Sequence, residues 1–288
     1  MLPGAEGPRM RVTTLPSLAQ EYWRAFSRRK PELECAQQIP RLSLEIEQVR
    51  VDAAALARYR AFVGNPHPFP LAYAYVLAQP AHFHLVNLPE FPVRAAGLVH
   101  VDNRIVRHAD CDPARALSLR VHVSGERPRR QGREFTLATE FHQDGRLVME
   151  MHSGCFTRVR APRREHAPTT APPAAVPEGT ALAELCFAAH FGRRYARVSG
   201  DWNPIHLAHW LARPFGFRRA IAHGAGAMAL IEAELDRRSG RATRAFSITF
   251  RRPLELPQQT RLHRRADSAE GYLLLDAQSR ELLHGERC

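Results

Sequence analysis

The sequence predicts an α+β protein built from two similar halves, each combining a helix with antiparallel strands. Stretches that alternate apolar and polar residues, the pattern of half-buried strands, occur in both halves of the chain. A segment around Gly64 resembles one around Gly200, with a tyrosine five positions before the glycine in each. The proline-rich stretch 162–178 cannot bury enough apolar surface to fold alone and is expected to link the halves. The expected domains are therefore 41–161 and 179–288.

An N-terminal extension, residues 1–40, precedes the first half. It begins with a Pro/Gly-rich tail and continues into a short helix, because Leu18, Tyr22 and Phe26 recur at helical spacing. Ser17 lies just ahead of them and suits an N-cap. We expect these side chains to pack on the protein's own body, and docking on a partner is the alternative.

The strands of the first half are predicted by alternation and by one turn signal. Residues 42–50 alternate as a single strand, and three alternating stretches between 117 and 160 predict antiparallel neighbours. Asp144-Gly145 separates the last two stretches and is a strong hairpin signal. Residues 97–103 also read as a strand, although they stand roughly where the second half has a helix start.

The second half repeats this plan. Strands are predicted at 181–187, 245–250, 271–277 and 281–284, and a central helix is predicted to end at about Arg238. A long helix wrapped by an antiparallel sheet is the arrangement that this order of elements favours.

The residues best suited to chemistry lie in the segment 195–235. Asp201, Asn203 and His206 fall within six positions, and an acid beside an imidazole can hold one water as an acid/base pair. Pro204 fixes its own φ and disfavours the α region for Asn203, so this stretch is expected to be irregular. A tight turn of this kind can aim both titratable side chains at one point.

A glycine-opened helix follows shortly after this segment. Its start after His223 leaves free N–H groups and a positive dipole end, and Gly224 lets a substrate come close to the backbone. Amides placed in this way suit an oxyanion, such as the enolate that forms when a thioester carbonyl activates its α-carbon.

Three blocks, Ser199–His206, Phe215–Phe217 and Ile221–Gly224, resemble in order and spacing the signature of the MaoC-like (R)-specific enoyl-CoA hydratases, the hydratase 2 family. The resemblance implies a double hotdog fold and reversible hydration of trans-2-enoyl thioesters to (R)-3-hydroxyacyl thioesters in fatty acid metabolism. By the same resemblance Asp201 and His206 handle the water, Asn203 orients them, and the Gly224 amide binds the oxyanion.

The resemblance also implies which residues contact the substrate and what else the reaction needs. Ser199, His223, Ala225 and Tyr195 are the expected substrate-binding residues, and Ala225 stands where a methionine is common after the His-Gly pair. No metal and no other cofactor is implied, because coenzyme A or the phosphopantetheine of an acyl carrier protein belongs to the substrate. A homodimer of double-hotdog chains is compatible with the resemblance.

The first half is expected to have lost catalysis. After Gly64 the chain continues directly with Asn65 and Pro66, so the acid is missing. The apolar stretches 71–77 and 82–88 could wall the acyl tunnel, and a core role is the alternative. The histidines of this half are expected to be structural: His67, His82, His84 and His100.

Other interpretations remain open at this point. Asp201 could cap a short helix, His206 could be a buried histidine with ordinary partners, and Gly224 could serve packing. The same fold could also be a thioesterase or a non-catalytic acyl-thioester scaffold. The order of residues does not assign the acid and the base.

Composition narrows the possible partners. The chain has 41 basic and 29 acidic residues and a formal net charge of +12, with 44% hydrophobic residues as in a globular protein. A basic surface suits the phosphates of coenzyme A or an acidic carrier protein. Nucleic acid is not an expected partner, because the arginines are scattered and do not form a basic stripe interleaved with aromatics.

Cysteines and targeting signals indicate the compartment. Cys35, Cys111, Cys155, Cys186 and Cys288 form no C-x-x-C pair and no metal-ligand spacing, which favours reduced thiols. The sequence has no signal-peptide core and no run of membrane-spanning length. We therefore expect a cytoplasmic protein without a membrane partner.

Overall fold

The computed structural model describes residues 8–27, 33, 37–95, 97–129, 132–158 and 179–288. The predicted connector at 162–178 therefore lies outside the described residues. In the extension and the first half the elements are, in order, β1 (Arg9–Thr14), α1 (Leu18–Ser27), β2 (Ser43–Val49), α2 (Ala53–Val63), α3 (Tyr73–Asn87), β3 (Val99–Arg107), β4 (Leu117–Arg129), β5 (Gly132–Gln143) and β6 (Arg146–Arg158).

The second half contains a similar series. Its elements are β7 (Ala181–Phe187), α4 (Phe191–Ser199), a 3-10 helix (Pro204–His206), α5 (His209–Ala212), a second 3-10 helix (Arg213–Phe215), α6 (Gly224–Ser239), β8 (Ala245–Phe250), β9 (Gln258–Arg264), β10 (Gly271–Asp276) and β11 (Glu281–Arg287).

The described strands form one 11-stranded sheet in the order β1-β2-β4-β5-β6-β3-β8-β11-β10-β9-β7. The first half contributes β2-β4-β5-β6-β3, and the second contributes β7-β9-β10-β11-β8, which is the same order of connections. The halves meet where β3 pairs antiparallel with β8, with Asn103 opposite Ile248. The double-hotdog prediction is therefore supported by two equivalent units that share one continuous sheet.

The repeated tyrosine-glycine segments are equivalent in the structure. Helix α2 ends at Gly64 with φ of 74° and α4 ends at Gly200 with φ of 78°, a left-handed conformation that glycine adopts without steric cost. The two tyrosines of the repeat, Tyr59 and Tyr195, are buried and contact each other edge to face, with ring centroids 6.2 Å apart. The repeat thus marks the packing between the halves.

The central helix of the first half was not located from the sequence. Residues 97–103 lie mostly in β3, as predicted, but the counterpart of α6 is α3, which the apolar stretches 71–77 and 82–88 largely form. Most of α3 is buried, so its sequence lacks the amphipathic period that marks a surface helix, and Pro80 lies inside it. These two features concealed the helix.

Two strands were also missed. Strand β1 lies in the part of the extension read as a tail and adds parallel to β2, and β9 lies between β7 and β10. The Asp144-Gly145 turn is confirmed, since both residues have positive φ. Within the described residues, no helix is both long and apolar enough to cross a membrane.

Candidate active site

The segment carrying Asp201 is fixed by local hydrogen bonds directly after α4. The Ser199 hydroxyl donates to Tyr195 O (2.9 Å) and accepts from Asp201 N (3.2 Å). Asp201 Oδ1 then accepts from Asn203 N (3.1 Å), which closes a short turn over the carboxylate. The left-handed backbone conformation of Gly200 therefore places Asp201 in a turn that is formed without any substrate.

Pro204 gives the chain the bend that the sequence predicts. Asn203 has φ of −58° and ψ of 123°, outside the α region, and its Oδ1 accepts from Ile205 N (3.4 Å) at the start of the 3-10 helix. The Asn203 side chain thus caps this helix, which carries His206. Asn203 therefore influences the positions of Asp201 and His206 through the backbone and not through a direct contact of its side chain.

The tautomer of His206 follows from its partner. Its Nδ1 lies 2.8 Å from Ile221 O, and a carbonyl oxygen can only accept, so Nδ1 carries the hydrogen. Burial lowers the pKa of His206 to about 3, so the ring is neutral at ordinary pH. Nε2 is therefore left with a free lone pair, as a general base requires.

His223 packs against Asp201 and His206. Its ring stacks on His206 with centroids 3.8 Å apart, and its Nε2 donates to Asp201 O (2.9 Å). One ligating atom from each of Asp201, His206 and His223 lies within 4.8 Å of the others, a spacing that suits one shared water. Burial lowers the pKa of His223 as well, so it too is neutral.

Asp201 is the charged member of the group. Burial alone would raise its pKa, but the positive charge that His223 and His206 gain when they are protonated at low pH, together with the hydrogen bonds from Tyr22 and Gln79, outweighs burial and holds the pKa below the usual range. The site therefore combines one carboxylate with two neutral imidazoles.

The start of α6 lies beside this group. The first hydrogen bond within the helix runs from Ala227 N to His223 O (3.0 Å), so the earlier amides have no intrahelical acceptor. Gly224 lines the cavity, and a Cβ there would lie 2.8 Å from Phe250 Cζ, so only glycine fits without a shift. The neighbouring backbone is fixed by Ala222 N donating to Leu254 O (2.8 Å).

These residues face a cavity of about 1130 Å³ between the two halves. Of the predicted substrate-binding residues, His223 and Ala225 line it. Among the described residues, neither Ser199 nor Tyr195 lines the cavity. The Ser199 hydroxyl is hydrogen-bonded to the backbone oxygen of Tyr195, and the Tyr195 ring packs against that of His223 with centroids 4.8 Å apart. Their positions are those of supports behind the site.

The first half supplies the opposite wall of the cavity. Tyr75, Gln79 and Phe83 of α3 line it, while the rest of the helix is mainly core. His100 also lines the cavity and stacks on Tyr75 with centroids 4.9 Å apart. Some residues of the apolar stretches 71–77 and 82–88 therefore line the cavity, as the tunnel interpretation predicts, and the others belong to the core.

The other first-half histidines have structural partners, as expected. His82 is buried with Nε2 2.8 Å from Thr139 Oγ1, and the Nδ1 of His84 lies 2.8 Å from Glu21 Oε1. His67 Nδ1 accepts from the backbone N of Phe69 (3.0 Å).

The first-half counterpart of the site is filled by the protein itself. Asn65 follows the α2 glycine, as Asp201 follows that of α4, and its Nδ2 donates to Asp236 Oδ2 (3.4 Å). At the start of α3, Leu71 N (2.7 Å) and Ala72 N (2.8 Å) donate to the buried Glu232 carboxylate from α6. An internal carboxyl group therefore accepts from the amides that correspond to those at Gly224.

A second cavity of about 990 Å³ adjoins the first and shares residues such as Gly216, Phe217 and Leu282 with it. Five arginines line this second cavity, and we call them the mouth arginines: Arg213, Arg218, Arg219, Arg252 and Arg280. Arg280 is paired with the buried Asp276, with Nε 2.7 Å from Oδ2. The cluster creates a positive region where a long substrate would leave the protein.

Sequence reasoning missed two side chains that touch Asp201. Tyr22 of α1 donates from its hydroxyl to Oδ1, and Gln79 of α3 donates from Nε2 to Oδ2 (2.7 Å). Both lie far from Asp201 in sequence. The predicted packing of α1 on the body was a partial signal for Tyr22, but nothing local pointed to Gln79.

The chain is similar to known proteins both in sequence and in fold. Residues 185–265 match the MaoC like domain. The chain is 30% identical over 260 residues to 3-hydroxyacyl-thioester dehydratase X of Mycobacterium tuberculosis, covering 87% of this chain and 89% of that one. The crystal structure of HtdX from the same organism superimposes with a TM-score of 0.70 at 26% identity, covering 85% of this chain and 98% of that one.

More distant structures agree in fold. A MaoC-like dehydratase from Phytophthora capsici gives a TM-score of 0.63 at 15% identity, covering 87% of this chain and 96% of that one. A Mycobacterium tuberculosis protein described as having a double hotdog fold gives 0.55 at 13% identity, covering 90% and 95%. The chain therefore belongs to the MaoC-like dehydratases and has the double hotdog fold.

Proposed function

We propose that the protein catalyses the reversible hydration of trans-2-enoyl thioesters, and the dehydration of (R)-3-hydroxyacyl thioesters, in fatty acid metabolism. The observation that carries the proposal is the convergence of the Asp201 carboxylate, His206 Nε2 and the start of α6 on one cavity. The relative from Mycobacterium tuberculosis is named for this class of reaction. The (R) configuration rests on family resemblance.

His206 is the relay base in this proposal. Nε2 takes a proton from the shared water, whose oxygen forms a bond to the β-carbon of the enoyl group. The double-bond electrons move towards the thioester oxygen, where the Gly224 amide stabilises the enolate. The proton then passes from Nε2 to the α-carbon, which restores the thioester carbonyl, and dehydration follows the same steps in reverse.

Asp201 acts as the fixed anion of this relay. Its two oxygens already accept from Tyr22, Asn203 and Gln79, and its pKa is held low, so it is the weaker candidate for receiving a proton. Its charge instead orients the water and stabilises the imidazolium that forms on His206. No electron is transferred in these steps, so they require no redox cofactor, and the expectation that no metal takes part rests on the family resemblance.

The thioester carrier is the next level of the proposal. Both coenzyme A and a carrier protein bring a phosphate on the pantetheine arm, and the mouth arginines would attract either. We propose an acidic acyl carrier protein as the preferred carrier, because the strong net positive charge of +12 suits a macromolecular anion. Equal rates on both carriers at low and high salt would contradict this preference.

The proposed environment of the protein rests on its thiols. The described cysteines Cys111, Cys155, Cys186 and Cys288 are all free. We propose a reducing, cytoplasmic location for this reason. The homodimer stays a prediction that the sedimentation of the purified protein would test.

Product analysis tests the reaction. Incubation of a trans-2-enoyl thioester with the enzyme in deuterated water should give a 3-hydroxyacyl thioester with one deuterium at the α-carbon. A single relay base adds both groups to the same face, so the addition should be syn. Release of free thiol would identify a thioesterase instead, and the absence of any product on coenzyme A and carrier-protein substrates would favour a binding role.

A further inference from the structure

The catalytic carboxylate accepts hydrogen bonds from three separate parts of the chain, two of them through side chains and one through a backbone amide. Asp201 Oδ1 accepts from the Tyr22 hydroxyl of α1 and from Asn203 N, and Oδ2 accepts from Gln79 Nε2 of α3 (2.7 Å). Asp201 lies in the second half, Gln79 in the first, and Tyr22 in the N-terminal extension. This convergence of distant segments on one carboxylate requires an explanation beyond packing.

Helix α1 is held rigidly enough to place Tyr22. Glu21, which is only 1% exposed, accepts from Asn87 Nδ2 (2.9 Å) and contacts His84 Nδ1 (2.8 Å) on α3. Asn87 Nδ2 also donates to the backbone oxygen of Glu21 (2.9 Å), so both the side chain and the main chain of α1 are bound. A buried carboxylate with several partners fixes a helix more firmly than apolar contact alone.

The Tyr22 ring is positioned by packing independently of its hydroxyl. Its centroid lies 4.7 Å from that of Phe83 on α3. Burial and the neighbouring Asp201 raise the pKa of the Tyr22 phenol well above its ordinary range, so the hydroxyl stays protonated and donates. Phenylalanine at this position would keep the ring contact and lose only the donor.

We infer that Tyr22 and Gln79 are positioning residues that hold Asp201 ionised and in one orientation, so that α1 is a built-in part of the active site. The inference rests on the proposed function only in assigning Asp201 a role in turnover. A carboxylate whose two oxygens accept fixed donors cannot rotate, and its remaining lone pairs point in defined directions at the water.

Two conservative variants test the inference against a matched control. Tyr22→Phe and Gln79→Met each remove one donor and keep the bulk of the side chain. Tyr272→Phe is the control, because Tyr272 is also buried, its hydroxyl donates to Ser247 O (2.6 Å), and neither of these two residues lines the cavity. The control separates the loss of a buried tyrosine hydrogen bond from an effect on Asp201.

We expect kcat to fall about ten-fold or more in each test variant, since a hydrogen bond to a charged group is lost, with KM largely unchanged. The acid limb of the kcat pH profile should move to higher pH, because the carboxylate loses a donor that favours its ionised form. Tyr272→Phe should show neither change. A fall in kcat with an unmoved pH profile in both test variants would indicate a merely structural role and overturn the inference.

A measurement without substrate separates the inference from the proposed function. The carboxyl carbon of Asp201 can be followed by ¹³C NMR during a pH titration, with Asp201→Asn used to assign the signal. The midpoint should rise in Tyr22→Phe and Gln79→Met and stay in place in Tyr272→Phe. Unchanged midpoints would overturn the inference, whereas a wild type inactive on every thioester, with the midpoints shifted, would overturn only the proposed function.

Discussion

Replacing Glu232 with glutamine should remove a pH dependence of folding stability that originates in the non-catalytic half. The Glu232 carboxylate is buried at the start of α3, where two backbone amides donate to it. Burial, the largest influence, raises the pKa of Glu232 from 4.5 to about 7, and the backbone donors oppose this only in part. The folded protein therefore keeps this proton at pH values where the unfolded chain has released it.

The size and sign of the effect follow from this difference. A pKa of about 7 against 4.5 corresponds to roughly 3 kcal/mol of unfolding free energy. The contribution is fully present below the unfolded pKa, because both states are then protonated. It is lost progressively as the pH rises from about 4.5 through about 7, since unfolding releases a proton across that window.

Urea unfolding followed by tryptophan fluorescence, at a series of pH values across this window, provides the assay. The wild type should lose more stability with rising pH than Glu232→Gln, by roughly 3 kcal/mol over the whole window. Glu234→Gln is the matched control on the same helix. Burial, the largest single influence, would raise the pKa of Glu234, but Arg237 and Arg238 together outweigh it and lower that pKa from 4.5. The contribution of Glu234 to stability is therefore lost only as the pH falls below 4.5, and Glu234→Gln should leave the slope within the window nearly unchanged. Parallel pH curves for wild type and Glu232→Gln would refute the reasoning.

Two further predictions concern the support of the site and its mouth. Gly192→Ala would place a Cβ 1.8 Å from His206 O, so the 3-10 helix must shift. We expect activity, measured by turnover, to fall at least about ten-fold and the melting temperature, measured by thermal denaturation, to fall as well. Wild-type values of both would show that Gly192 is not needed for this packing. Arg252→Glu reverses the charge of one exposed mouth arginine. Initial rates at several ionic strengths should show a higher KM for an acidic carrier protein and a weaker dependence of that KM on salt, while the melting temperature stays unchanged. Unchanged salt dependence would remove Arg252 from the carrier's path.

The parts of the site that sequence predicts are those encoded locally. Asp201, Asn203 and His206 lie within one short turn, and the effect of Pro204 on that turn can be derived from a single dihedral restriction. Strand β4 was predicted because its sequence alternates, in step with its burial, whereas β10 was predicted from an apolar run and is buried throughout. The helix start at Gly224 was predicted from the helical spacing of the apolar residues that follow it.

The parts that sequence does not predict depend on contacts between distant segments. Gln79 lies 122 positions from Asp201 and Tyr22 lies 179 positions away, so no spacing rule connects them. Helix α3 is buried on most sides and therefore has no amphipathic period to detect. Tyr195 was expected to bind the substrate, but its ring packs against Tyr59 of the first half.

The occupant of the first-half helix start was equally beyond the sequence. The sequence shows that Asn65 stands where the second half has Asp201. It does not show that the Glu232 carboxyl group, on the other half, accepts from the amides of Leu71 and Ala72 at the start of α3. A buried glutamate on a helix also breaks the expectation that such residues face solvent. Only the three-dimensional pairing of α3 with α6 reveals it.

The most direct test of the account is the absorbance of a short trans-2-enoyl-CoA at its conjugated-enone band, followed with wild type, Asp201→Ala and His206→Ala. We predict loss of absorbance with wild type, no release of thiol, and rates reduced roughly 10²–10⁴-fold in each variant. If either variant hydrates the substrate at the wild-type rate, that residue takes no part in the chemistry and the proposed relay is wrong.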